Sequence, residues 1–314
     1  MQGSTTNWGG LRNIALRVLM LSLLASTSGC SVKHLAVTSV GNAMAESGEV
    51  YASEEDIAFA GAAIPFGLKT IEGLLVEVPD HRGLLVSAAS GFTQYAYAYV
   101  ELPAKRFEET DYRLARSERL RAKRMYLRGR AYALTALSDR RSDFEQELLA
   151  NPQQALALIK ARQVPELYWA TVSWAAAIAA DKEDMEMVAD LHLIEPMIER
   201  CLQLNEGYDN GAIHEFMISF EAGRGAAQGG SIEAARSHYQ RAMSLAEGRK
   251  ISAMVSLAEA VTVQEQNRVE FEELLIEALA FDVNTAPEFR LANLIAQQRA
   301  AILLAQIDDL FIEG

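Results

Sequence analysis

The chain has 314 residues, half of them hydrophobic, with 29 Lys and Arg against 42 Asp and Glu and a net charge of −13. A field of that sign opposes any surface built on phosphates, so nucleic acid is excluded as a partner on electrostatic grounds. A charged fraction of 23% belongs to a folded chain rather than a disordered one, and the length suffices for one large or two modest cores.

Residues 1–29 carry Arg12 and Arg17 and no acid, then the apolar run Val18 to Ala25, then Ser26-Thr27-Ser28-Gly29 directly before Cys30. A charged segment, an apolar segment and a small-residue cleavage site in this order read as an export signal. The run is shorter than the ~20 apolar residues a membrane helix requires, and no second segment reads as apolar for long enough to cross a membrane. The segment is similar to lipoprotein signal peptides, in which the cysteine after the cut is acylated. Thr27 departs from the usual Leu, and Ser31 in place of Asp favours the outer membrane of a two-membrane bacterium. The expected organisation is a signal peptide over 1–29, a lipidated N-terminus at Cys30 with a short tether to residue 50, and a helical domain over 51–314. Cleavage removes Arg12 and Arg17 and leaves 27 basic against 42 acidic residues, a net −15. Cys201 then has no disulfide partner and reads as a small buried hydrophobe.

Beyond residue 50 apolar residues recur at helical spacing. Ile64, Leu68, Ile71, Leu75 and Val78 form one stripe, and Leu84, Ala88, Phe92, Tyr95 and Tyr99 form the next, with Tyr97 off that face. Breaks fall at Pro79-Asp80, Pro103, Asn151-Pro152, Pro165, Gly223 to Gly230, and Pro287. Asn267 with Glu270, and more weakly Ser53 with Asp56, has the spacing of a capping box, and Ser231 is placed to cap a helix after the glycine-rich loop. No alternating strand pattern is found. Three phrases, Cys201 to Asn205, Ala242 to Ala246 and Ala278 to Asp282, repeat a small residue followed by spaced apolar ones at offsets of 41 and 36 residues, with Leu74 to Val78 as an earlier copy. That period belongs to the second helix of a tetratricopeptide-like unit, so the expected fold is all-α, an array of degenerate helical hairpins with a concave binding surface.

Enzymatic and metal readings find little support. His214-Glu215 begins like a zinc-protease helix, but Ile218 stands where the second histidine is needed. The stretch Gly223 to Gly230 follows no strand, and neither a nucleophile turn nor a Walker loop is present. No catalytic residue, metal or cofactor is therefore assigned. Two features remain. Aromatic residues with hydroxyl neighbours, at Phe92, Tyr95, Tyr99, Tyr168, Trp169, Ser173 and Trp174, suit either a core or a ligand cavity. From Lys105 to Arg130 the chain holds ten basic and four acidic residues, a local +6 that suits a solvated face or an acidic partner surface.

The runs Pro65 to Glu72, Pro79 to Leu85, Ser90 to Ala98, Leu167-Tyr168-Trp169, Gly211 to Phe216, Gly229-Gly230-Ser231 and Ile307 to Phe311 closely resemble the TatT family, the lipoprotein T component linked to TRAP transporters. Glu206-Gly207 departs from the Pro-Asp the family tends to carry. The resemblance implies a homotrimer held to the membrane by its N-terminal lipid and associated with a periplasmic solute-binding protein of a TRAP-type system. It also implies a pore through each protomer for a hydrophobic ligand. On this reading Phe92, Tyr95, Tyr99, Trp169, Ser173, His214 and Phe216 are candidate pore residues, and Arg116, Arg119 and Lys123 are candidate docking residues. The competing expectation is a general tetratricopeptide-type envelope scaffold with no solute role; an envelope hydrolase is a third, weakened by its missing nucleophile.

Overall fold

A computed structural model describes residues 33–138 and 143–312, and every regular element among them is helical. The proposed signal, Thr27, Cys30 and Ser31 lie outside the described residues. The N-terminal helices are α1 (33–45), α2 (Gly48–Ala52), α3 (Ile57–Glu77), α4 (Arg82–Ala96), α5 (Leu102–Ala104) and α6 (Tyr112–Leu137). Then come α7 (Phe144–Ala150), α8 (Pro152–Ala157), α9 (Val164–Ala180), α10 (Met185–Ala189) and α11 (Leu191–Leu204). The C-terminal set is α12 (Ala212–Gly223), α13 (Ile232–Leu245), α14 (Ser252–Leu257), α15 (Arg268–Ala280), α16 (Arg290–Ala305) and α17 (Ile307–Leu310). The stretch expected as a tether thus carries α1 and α2. Lys33 at the start of α1 pairs with Glu77 at 2.7 Å.

Neighbours in sequence are neighbours in space: α3 lies on α4, α4 on α6, α6 on α9, α9 on α11, α12 on α13, and α15 on α16. The repeated phrases end α11, α13 and α15, and Cys201, Ala242 and Ala278 are buried at those positions. A small residue there lets the following hairpin approach. Gly211 (φ +92°) leads into α12 so close to α13 that a Cβ would lie 3.2 Å from the Ala242 Cα, and only glycine combines this conformation with this proximity. Fully buried Phe271 and Ile194 each stabilise the fold by roughly 1.5–3 kcal/mol through apolar burial. Burial also pushes the Cys201 thiol up, away from reactivity.

Helix starts follow the sequence signals with two changes. Ser231 accepts from the Ala234 N–H at 3.1 Å as expected. Asn267 accepts from the Glu270 N–H at 3.3 Å, but the return bond joins the two side chains rather than closing on the Asn267 backbone. Ser53 does not cap; Asp56 does, accepting from Ala58 and Phe59 at 2.8 and 3.0 Å.

A further correction concerns α3. At 21 residues, with a window of mean hydropathy 1.4, it is long and apolar enough to cross a membrane, contrary to the reading that no segment after the signal reaches that length. Two of its three charges, Lys69 and Glu72, pair with each other at 2.8 Å and interrupt the run without ending it; the third, Glu77, closes the helix. The helix buries Leu68, Ile71 and Leu75 against α4 and leaves Phe66 and Val76 about 80% exposed (79% and 81%).

The array closes on itself. Arg290 donates to the Ser53 carbonyl at 3.0 Å, Gln306 donates to the Lys105 carbonyl at 3.0 Å, and α16 contacts both α2 and α3.

Candidate functional site: the charged interior

Closure brings together two π-turns, Tyr97–Glu101 after α4 and Ala258–Thr262 after α14. An i→i+5 turn inserts one residue into the helical repeat and so rotates the side chains that follow; such turns recur at functional sites. The first turn turns Tyr97 toward the surroundings of Lys105, Glu259 and Arg299, while Tyr95 and Tyr99 stack at 5.2 Å. Tyr99 reaches α3 where Gly61 leaves room: a Cβ there would meet the Tyr99 ring at 2.6 Å.

Glu259 is the hub. It accepts from Lys105 and from Arg299, whose Nε lies 2.7 Å away, and Arg299 also donates to Ser256 at 3.1 Å. Burial alone would raise the Glu259 carboxyl, but Arg299 and Lys105 overcome it and hold the group at about 2. Glu101, on the matching turn, accepts a hydrogen bond from Tyr126. Burial raises its carboxyl, and Tyr126 and the more distant Lys105 do not fully offset that. A quarter of the Glu259 side chain and 13% of Arg299 stay accessible. Glu215 extends it, since its charge acts on both Arg299 and Tyr168, and Lys250 lies 3.7 Å from Glu215.

The candidate pore residues divide among these surroundings. Tyr95 precedes the first π-turn and Tyr99 lies within it. Trp169 is buried edge-on to Tyr168 at 5.1 Å, and Tyr168 packs on Tyr208 at 5.1 Å, beside the Glu215 group. Phe92 is buried elsewhere, stacked on Tyr132 at 6.0 Å under the Arg128 guanidinium. Ser173 is fully buried and donates to the Trp169 carbonyl of its own helix at 2.6 Å. Phe216 stacks on Phe220 at 5.5 Å.

His214 belongs to a second polar group, between α12 and α13. Its Nδ1 lies 2.7 Å from His238 Nδ1 and its Nε2 lies 3.2 Å from Glu206, which Arg241 clamps through both oxygens at 2.6 and 2.9 Å. One arrangement satisfies all partners with neutral rings: His238 Nδ1–H donates to His214, and His214 Nε2–H donates to Glu206. Burial and the adjacent His214 push His238 down to about 4. Among the described residues no cluster of His, Cys, Asp and Glu is arranged to hold a metal ion.

The candidate docking residues lie on α6. Arg116 pairs with Glu183 at 2.7 Å, Arg119 with Glu108 at 2.5 Å, and Lys123, buried, with Asp181 and Asp184 at 2.7 Å each. The outward face opposite Ala115, Ala122 and Tyr126 instead carries exposed Arg113, Arg121, Arg124 and Arg128.

Sequence reasoning missed Glu101, Lys105, Glu259 and Arg299, treating scattered charges as a solvated face. A signal existed: Glu259 is the lone charge between Ile251 and Gln264, and Arg299 the lone charge between Leu291 and Gln306. A single charge inside an apolar helix is seldom left without a buried partner.

A family model described as TRAP transporter T-component matches residues 53–311. A protein of Treponema pallidum (strain Nichols), itself uncharacterized, is 28% identical over 304 residues, covering 91% of this chain and 94% of its own. The matched span runs from the loop before α3 to the end of α17 and includes both π-turns and their ion pairs, so the chain belongs to the TRAP transporter T-component family.

Proposed function

We propose that the protein is a periplasmic accessory subunit of a TRAP-type system, anchored to the outer membrane through lipid on Cys30 and assembled as a homotrimer. It docks a solute-binding protein and offers that partner's ligand a path through the closed helical array, with no covalent chemistry. The family match over 53–311 carries this reading, and the contacts that close α16 onto α2 and α3 support it. On this view the path runs past Tyr95, Tyr99 and Trp169 and the charged cluster between the two π-turns. The ligand is then hydrophobic in part and carries a polar group that the cluster tolerates. Anchoring raises the partner's effective concentration at the membrane.

Native mass spectrometry of the protein purified from its own cells tests this. A trimer carrying a periplasmic binding protein or a small apolar ligand is the expected result. A ligand-free monomer bound to an unrelated envelope protein would instead favour the scaffold reading, for which the outward arginines of α6 supply a docking face.

A further inference from the structure

Away from the interior, the N-termini of α4 and α9 open into one cleft of about 350 Å³, lined on its polar side by Arg82, Ser87, Arg162 and Glu166 and on its apolar side by Val86 and Pro165. Glu166 is 1% exposed; one carboxylate oxygen accepts from Arg82 Nε, and the other, Oε2, has no hydrogen-bond partner. A buried carboxylate oxygen without a donor is a defect that a fold rarely retains unless something fills it. Arg82 also donates to the Arg162 carbonyl, and burial together with the nearby Arg162 charge makes it a weaker base than usual. Two guanidiniums therefore face this cleft with one carboxylate between them. The N-termini of two helices, 15 and 17 residues long, border the cleft, and their positive ends add to the surplus.

We propose that this cleft binds a small organic carboxylate carrying a hydrogen-bond donor on the adjacent carbon, the α-hydroxy- and α-amino-acid class. The ligand's carboxylate meets Arg162 and the N-terminus of α4, its donor satisfies Glu166 Oε2, and its carbon chain rests on Val86 and Pro165. The Arg82 side chain, 42% exposed, shifts to admit the donor. Arg162 is exposed in the short 3-10 turn Ala161–Gln163, and Arg82 is held by its backbone carbonyl, so loss of the Arg162 side chain leaves that bond in place, whereas Glu166 is structural as well as ligand-directed.

Isothermal titration calorimetry of the protein with lactate and alanine, against propionate and inorganic phosphate, tests the assignment. Lactate or alanine should bind about tenfold more tightly than propionate, the difference one charge-assisted hydrogen bond makes. Arg162→Ala should weaken binding by about tenfold or more for the same reason. Glu166→Gln should narrow the difference between lactate and propionate, with circular dichroism confirming that the variant folds; if it does not fold, the Arg162 result decides. No heat from either acid, binding unchanged by Arg162→Ala, or phosphate binding as tight as lactate would overturn the proposal.

Discussion

Glu259 and Glu101 occupy matching π-turns on the two halves of the array, yet their carboxyls are shifted in opposite directions. Glu259 has two cations in contact and stays ionised at about 2, while Glu101 has a tyrosine hydroxyl and a raised carboxyl. Burial raises both carboxyls, and what separates them is the number of cations in contact: Arg299 and Lys105 overcome burial at Glu259, and nothing does so at Glu101.

The largest way to break this contrast is Arg299→Ala. It strands Glu259 with Lys105 alone in a largely buried site and should destabilise the protein by about 3 kcal/mol, the usual result of removing one partner of a buried pair. Urea unfolding checks this. The double variant Arg299→Met with Glu259→Leu should recover most of the loss, and equal loss in single and double variants would show that packing, not charge, accounts for the effect.

A site away from the two π-turns sharpens the point with a base instead of an acid. The His238 imidazole is held at about 4 against an ordinary 6.5, so the unfolded chain takes up its proton first. Stability is full above pH 6.5 and declines as pH falls from 6.5 toward 4, by roughly 1–2 kcal/mol once partial exposure is allowed for. His238→Gln should flatten that limb of a pH–stability profile measured by thermal unfolding.

The smallest effect concerns Glu101. Because its folded value is raised, it favours the folded state below about pH 4.5 and that contribution is lost as pH rises. Glu101→Gln, which still accepts from Tyr126, should stabilise the protein at pH 7 by about 1 kcal/mol and have no such effect at pH 4. Glu259 behaves with the opposite sign: its contribution is present above pH 4.5 and lost as pH falls toward 2. A gain at acid pH for the Glu101 variant would mean the two turns are not electrostatically distinct.

Much of the architecture was legible in the chain. The helical period located α3 and α4, the repeated small residues at Cys201, Ala242 and Ala278 located the hairpins, and Ser231 and the glycine-rich loop located the start of α13. What was not legible depended on the π-turns. A strict 3.6-residue period carries no sign of an inserted residue, so Tyr97 read as off the face when it borders the interior. On α6 the cations were visible but their faces were not. Arg116 and Lys123 point toward acids contributed by distant segments, Arg119 toward Glu108, Arg121 toward Glu118 and Arg128 toward Glu72, which leaves the exposed Arg113 and Arg124 to solvent and partners. The buried pairing of Glu259 with Arg299 joins residues 40 apart, beyond the reach of any local rule. The cleft at Arg82 and Glu166 joins two helices 84 positions apart and left no trace in either run alone.

The bonds that close the array span 201 positions from Gln306 to Lys105 and 237 from Arg290 to Ser53. Hairpins stacked in sequence order can assemble as the chain emerges, but these two contacts wait for α16 and the residue that caps it. Loop closure of that length is entropically slow, and contacts of high sequence separation set the pace of folding. Until the C-terminal helices dock, Lys105 and Glu259 remain apart and the interior is open along one side. A chain cut short before Arg290 is therefore expected to fold as an unlatched arc, with its charged lining exposed to water.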